Sequence, residues 1–557
     1  MNTRFLGIGA GLFAALGVVA FNATGIVQRT LVEVEPTTTF IVKARTAADA
    51  VAAVNAVNGV INVITKRASE TQGTFIQGGG GTEDRSFGAV RYGGKVGDSL
   101  HYRFYGKWNE HDGGWAIADA ADDYRMARGG FRMDWQPSDC STFTFQGDFF
   151  EGDSGQRYTA ALPVSPYQVA GVPSDNGPAG QNILTRYSHR FSDESDWSIQ
   201  LYWDRTSRPD RPVIYPHFAM DCNTFDLDFQ QRFPLCPSHS LIWGFGYRTT
   251  RNFTDGNPTI EFDPAVRSFG IISYFVQDQI TLSPDVWSLT IGSKFEHNDF
   301  SGFEYQPTIR LLYTPDERRT VWTSVSRAVR TPSRMDHDVT VNAPTGAFVP
   351  MFAQVLGDPS VESEELMAYE LGYRAQPTDE FWWDLALFYH DYDKLVRPVA
   401  GAPRFDPASG ITYLPSTYAN AVSGATYGFE LAGTYDVNSC WELQTGYSFL
   451  VMDLDGDLAG AVEGESPRNQ IYLQSRYDLG CAWELDATGR YVDHLDSLGV
   501  PGYLTMDARL AWVPNDHLEV ALVGRNLLDG EHPEFTNRSF FNSEVQRGVF
   551  GSVSWRY

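Results

Sequence analysis

The sequence predicts an all-β chain: a transmembrane antiparallel β-barrel of about 22 strands with a partial plug-like segment before it. Three observations lead there. Period-two alternation recurs in segment after segment, the composition is aromatic-rich yet polar, and the last strand ends on an aromatic at Tyr557.

The alternation is explicit. Leu100, Tyr102 and Phe104 share one face, with His101, Arg103 and Lys107 mostly on the other. Trp197, Ile199, Leu201 and Trp203 oppose Ser198, Gln200 and Asp204. Leu504, Met506, Ala508, Leu510 and Trp512 oppose Thr505, Asp507 and Arg509. A sandwich alternates too, but here the polar faces are charged and the apolar faces carry aromatics near both strand ends. That is the pattern of a wall with lipid outside and water inside. Pro/Asp/Asn turns at Thr314-Pro315-Asp316, Gln376-Pro377-Thr378 and Val513-Pro514-Asn515-Asp516 join neighbouring strands tightly. From residue 70 to the end, about 22 strands receive roughly 22 residues each, loops included; 16 or 18 strands with longer loops also fit.

Composition excludes other classes. Beyond the N-terminus no apolar run reaches the ~20 residues of a membrane helix, and mean hydropathy is negative. The 36 Phe, 14 Trp and 27 Tyr rule out a disordered chain. A net charge of −26 argues against nucleic acid as a partner. The five cysteines form neither a zinc pattern nor a disulfide framework. Cys222 and Cys236 share one polar stretch, where a disulfide and two free thiols both remain open; Cys140, Cys440 and Cys481 each follow a turn and read as structural. Arg4 followed by the apolar run Phe5 to Phe21 fits a secretory signal. The expected organisation is a signal at 1–21, a short segment at 22–72 and the barrel at 73–557.

No catalytic or metal motif emerges, and no cofactor is expected. Gly-x-Ser-x-Gly, His-Glu-x-x-His and a Walker loop are all lacking. Asp453-Leu454-Asp455-Gly456-Asp457 has the start of a calcium loop without its closing Glu. Gly78-Gly79-Gly80-Gly81 reads as a flexible turn.

Five motifs, in order, resemble the TonB-dependent receptor family of energised outer-membrane receptors. Asn55-Ala56-Val57-Asn58-Gly59-Val60-Ile61-Asn62-Val63-Ile64-Thr65-Lys66 is similar to the end of the family's plug. Val276-Gln277-Asp278-Gln279-Ile280 resembles a mid-barrel strand, and Ser326-Arg327-Ala328-Val329-Arg330-Thr331-Pro332 a strand-to-loop transition. Glu364-Glu365-Leu366-Met367-Ala368-Tyr369-Glu370-Leu371-Gly372-Tyr373-Arg374 resembles its most recognisable barrel motif, and Gly524-Arg525-Asn526-Leu527-Leu528-Asp529 its penultimate strand. The resemblance makes 22–72 a partial plug-like segment, with no plug strand before Asn55 and a stretch before Lys66 shorter than a complete plug with its coupling segment.

The resemblance implies uptake of a scarce bulky nutrient, a ferric siderophore first of all, in the outer membrane of a Gram-negative bacterium. Implied partners are outer-membrane lipid, lipopolysaccharide and an inner-membrane TonB-type complex. A passive plug-deficient channel and a non-coupled receptor remnant are the alternatives. Outer-loop candidates for ligand contact are His111, Trp115, Tyr215, His217, His239, His337 and Phe348.

Overall fold

The computed structural model describes residues 38–40, 63–115, 121–161, 169–212, 217–345, 351–456, 459–536 and 542–557. Among them, 22 long strands form one closed antiparallel barrel, each paired with its neighbours in sequence, from Gly73–Gly81 to Gly548–Arg556. Ten short turns, such as Gly97–Ser99 and Asp139–Cys140, mark one end, and the long loops lie at the other. Closure follows from the solvent. Hydrocarbon offers no partner to a peptide N–H, so a sheet that crosses it can leave no free edge.

The two faces separate as the alternation requires. Leu201, Trp243, Ile291 and Leu473 are exposed on the outer wall, while Gln277, Glu296 and Gln306 are buried on the inner one. In Glu370-Leu371-Gly372-Tyr373-Arg374, Leu371 faces out, Glu370 accepts from Ser324 at 2.7 Å and Arg374 pairs with Asp384 at 2.6 Å. Near the short turns the aromatics touch from strand to strand. Trp197 meets Tyr187 and Phe229 at 5.3 and 6.1 Å, Phe229 meets Trp243 at 5.4 Å, and Trp287 stacks on Tyr313 at 4.3 Å. Such a girdle suits the membrane interface, where one end of each ring is apolar and the other wet.

The seam between the last and first strands is built in detail. Thr74 N donates to Tyr557 O at 2.7 Å, and Tyr557 N returns a bond to Thr74 O at 2.8 Å. Phe75, with no exposed surface, lies under the guanidinium groups of Arg91 and Arg556, each 5.3 Å from its ring. At the long-loop end Arg525 donates to Asp84 at 2.9 Å and covers Phe550 at 4.8 Å, while His111 meets the same carboxylate at 3.1 Å. Gly78–Gly81, expected as a flexible turn, belongs instead to the strand Gly73–Gly81 of this seam. A Cβ on Gly79 would lie 2.3 Å from the Phe87 ring, and one on Gly81 would lie 2.0 Å from Val549 O. Close backbone approach therefore explains the run, not flexibility.

Long strands carry the sheet beyond the barrel. Ile411–Asn438 projects past the wall and pairs in parallel with Met351–Leu356, which pairs with Val339–Pro344, and that in turn with Ile260–Phe262. Phe218, Ile260, Phe262, Val339, Val341, Val361, Val396 and Tyr418 form one buried cluster under these strands. The long loops thus have a core of their own.

One expectation is corrected and one open alternative is decided. Thr38–Phe40 is a strand before Asn55, pairing antiparallel with Val63–Thr65. The rest of the expected signal and plug-like segments lies outside the described residues. Cys222 and Cys236 cannot pair, because both sit in the single strand Phe218–Cys236, about 45 Å apart along an extended chain. Their polar stretch is a wall strand whose inner face carries the polar side chains. Cys140, Cys236, Cys440 and Cys481 are free and exposed at the short-turn end.

Gly81→Val is expected to destabilise the barrel by at least the roughly 1–3 kcal/mol typical of overpacking, whereas Gly489→Ala, whose Cβ meets open space, is neutral. Loss of the compact, heat-modifiable gel band in the first variant alone checks this. Burial opposes ionisation of Asp84, but the His111 and Arg525 contacts outweigh it and hold the carboxyl below its usual range. A depressed carboxylate stabilises above its unfolded pKa of about 4 and loses that contribution as pH falls through the folded value. Melting followed below pH 4 is expected to show an acid-dependent step that Asp84→Asn removes.

Candidate functional site

Two constructions stand inside this wall, one at each end. Near the short turns, the single turn of 3-10 helix Ala68–Thr71 lies flat on the inner wall. Asp134 organises its seat. The carboxylate accepts Ala68 N at 2.7 Å, Thr144 Oγ1 at 2.8 Å, and both Nε and Nη2 of Arg132 at 2.8 and 3.0 Å. Arg132 also donates to Thr65 Oγ1 at 2.8 Å, and Arg103 to Lys66 O at 2.7 Å. Gly93 lets the segment approach, since a Cβ there would lie 2.1 Å from Thr71 O. The wall thereby grips the chain just before it becomes barrel, with Ala68 and Thr71 buried.

At the long-loop end a canopy is held by charge. Ser333 caps the short helix Arg334–Asp338, and Asp336 bonds back to Ser333 N at 2.7 Å. Arg334 reaches Asp338 at 2.8 Å, Asn252 at 2.6 Å and Pro264 O, while Arg267 pairs with the other oxygen of Asp338. These contacts tie the loop helix to two barrel strands. Arg330, at the end of its strand, clasps Glu364 at 2.7 and 2.9 Å and Asp336 at 3.3 Å. Burial works against its charge, and the two carboxylates more than restore it, raising its pKa.

Arg397 differs from these. It is 4% exposed, its Nη1 reaches only the Val396 carbonyl at 3.3 Å, and its Nε has no hydrogen-bond partner among the described residues. Burial pushes its pKa down, against the opposing pull of Glu364 and Glu465. Glu465 Oε2 likewise lacks a hydrogen-bond partner, and burial raises that carboxyl. Tyr418, 2% exposed beside them in charge terms, has its phenol pushed up to about 12 by burial. A buried guanidinium with donors to spare can receive an anionic oxygen.

The sequence-derived candidates are dispersed. His111 stacks on Tyr124 at 5.3 Å and belongs to the seam through Asp84. Trp115 lies in the last-loop contact, where Glu544 N donates to Trp115 O at 2.7 Å. His217 is exposed and bonds Asp255 at 2.7 Å. His337 is buried in the canopy helix, against Val361 O at 3.2 Å and edge-on to Phe300 at 5.1 Å, so packing occupies it. His239 is misplaced by the sequence: the two-residue turn Pro237–Ser238 puts it on the short-turn rim, bonded to Asp278 at 2.6 Å. Tyr215 and Phe348 lie outside the described residues. Arg397, Arg330 and Glu364 were not among the ligand candidates; Arg330 and Glu364 stood within the motifs of the resemblance, and the signal for Arg397 was its place inside the apolar run Leu395 to Val399.

Among the described residues no group of three or more His, Cys, Asp or Glu is arranged to hold a metal. Asp453 and Asp455 end the strand Trp441–Asp455, and Glu463 accepts from Leu454 N at 2.7 Å.

Known proteins resemble this chain through the barrel. The family model described as "TonB dependent receptor-like, beta-barrel" matches residues 68–527. A mutant of the ferric enterobactin receptor PfeA from Pseudomonas aeruginosa superposes with a TM-score of 0.73 at 15% identity, covering 90% of this chain and 83% of that one. The siderophore receptor PirA from the same organism gives 0.67 at 16% identity, with 90% and 83% covered. The FrpB iron transporter from Neisseria meningitidis gives 0.70 at 13% identity, with 91% and 85% covered. At such identities the likeness concerns the fold. No curated protein matches the sequence.

Asp134→Ala would strand the Ala68 N–H and the Arg132 guanidinium. Breaking a buried pair on one side typically costs about 3–5 kcal/mol. Limited proteolysis is expected to cut between residues 63 and 72 in this variant while the barrel stays resistant, and unchanged protection would refute the seat.

Proposed function

The chain belongs to the TonB dependent receptor-like β-barrel family, and on that premise we propose that it is an energy-coupled outer-membrane receptor that imports a ferric siderophore. The observation that carries the reading is Arg397, a buried cation with spare donors beneath a canopy tied down by Arg330, Arg334 and Arg267. Iron chelates of this class present anionic oxygens, which a desolvated guanidinium binds well. The ligand docks under the canopy from the long-loop side of a Gram-negative outer membrane.

The N-terminal segment receives the pull of an inner-membrane TonB-type complex. Its grip on the wall at Ala68–Thr71 makes a fixed point, so that a pull rearranges what precedes Thr65 and not the barrel. Lipid and lipopolysaccharide surround the wall.

Transport of radiolabelled iron, supplied on different siderophores to iron-starved cells with and without the chain, tests the proposal. Arg397→Ala is expected to lower uptake of the preferred chelate about tenfold at limiting concentration, the worth of one charge-assisted contact, and Arg397→Lys to restore part of it. No difference on any iron source would overturn the siderophore reading. Large, steady conductance of the purified protein in planar bilayers would favour an open channel instead.

A further inference from the structure

Two unfilled groups under the canopy are of opposite kind. Lys394, at a φ of +58°, sits in a break of register between Tyr392 and Val396. Beyond it Leu395, Val396 and Arg397 are buried in succession, so the guanidinium is turned in among apolar side chains instead of alternating out. Glu465 comes from another loop. The short helix Ala459–Glu463 ends just before it, and the backbone is pinned on both sides. Glu465 N donates to Val462 O at 3.0 Å, and Ser497 N donates to Gly464 O at 3.1 Å. Among the described residues Arg397 and Glu465 form no ion pair, although each acts on the other's charge. A spare donor, Arg397 Nε, and a spare acceptor, Glu465 Oε2, are thus held near each other and kept apart.

The charge around them is already balanced. Arg330 takes both oxygens of Glu364 and reaches Asp336, while Arg334 and Arg267 share Asp338. The guanidinium groups of Arg267, Arg330, Arg334 and Arg397 therefore meet as many carboxylates, those of Asp336, Asp338, Glu364 and Glu465. The next charges out, Arg327 and Lys394 against Glu304, Glu362 and Glu365, add nothing positive. No surplus cation waits here for a highly charged ligand.

We infer, on the import reading above, that the chelate taken here carries little or no net charge. It offers a hydroxamate or amide oxygen to Arg397 and an N–H or O–H to Glu465. Ferric tris-hydroxamates meet both conditions, because three monoanionic groups cancel the charge of the iron and their amide backbones supply donors. Ferric tris-catecholates do not. Their surplus negative charge would enter a buried place without a matching cation, and their oxygens would meet the Glu465 carboxylate with no proton to offer. Long-range steering points the same way, since a chain of net charge −26 repels a trianion.

Quenching of tryptophan fluorescence in the purified full chain tests this, with ferrichrome, ferrioxamine B and ferric enterobactin as separate probes. At least one of the two tris-hydroxamates is expected to bind about tenfold more tightly than ferric enterobactin. Glu465→Gln removes the charge and keeps the shape, so it should close most of that gap by strengthening the catecholate and not the hydroxamate. Glu465→Asp keeps the preference, and heat-modifiable gel mobility confirms the fold of each variant. A shift of both classes in the same direction in Glu465→Gln would make the residue merely structural. That result, ferric enterobactin binding more tightly than either hydroxamate, or binding of no probe would overturn the assignment. Cellular iron uptake separates it from the import reading. Uptake from a catecholate alone removes only the charge assignment, and hydroxamate binding without uptake removes only import.

Discussion

The structure depends on one requirement: in hydrocarbon every peptide N–H and C=O of the wall needs a partner within the protein. A meander of strands meets that requirement everywhere except at its two ends. The last strand must therefore find the first, across almost the whole length of the chain. Phe75 between two guanidinium groups, the glycines that admit Phe87 and Val549 O, and Asp84 drawing in Arg525 and His111 all serve that single join. The penultimate-strand motif gains a physical meaning here. Arg525 clasps the first loop, and Asn526, buried with a φ of +50°, bends the chain out of the wall under the hold of Asp507 and Val545 O.

Once the wall is closed, its interior holds charge that a globular core would reject. Pairs such as Arg476 with Glu442 and Arg509 with Glu484, Asp486 and Glu519 line it. The same chemistry is reused at both ends for different purposes. Around Asp134 four donors fill one carboxylate, and the result is a fixed anchor. Under the canopy it is saturated around Arg334 and left open at Arg397 and Glu465. Rigid, paired charge surrounds polar atoms that have no hydrogen-bond partner among the described residues, the arrangement that recognition of a charged ligand needs.

The barrel was legible because its signal is local. Alternation over ten residues needs no knowledge of the neighbouring strand, and Leu504 to Trp512 reads as wall by itself. What stayed hidden depends on who the neighbours are. Nothing in Gly78–Gly81 announces the Phe87 ring or the Val549 carbonyl, so conformational freedom was the available reading. Phe218–Cys236 read only as a polar stretch because its inner face carries Asp226, Asp228 and Gln230. Whether its two thiols could meet stayed open until the strand put them far apart. His239 was assigned to an outer loop because the sequence does not say which turns are inner. Histidines and aromatics drew attention as ligand contacts, whereas burial, visible only in three dimensions, singles out Arg397.

The thiols have one more consequence. Four of the five cysteines share the short-turn rim, while Cys222 stands near the other end of its strand, on the inward side. The protein is thus chemically two-faced toward sulfur reagents. In the proposed orientation, with the short turns facing inward, a membrane-impermeant alkylating agent on an intact cell meets none of the sulfur on that rim. Once the compartment beneath is opened, the same agent meets a ring of it. The chain carries its own orientation marker.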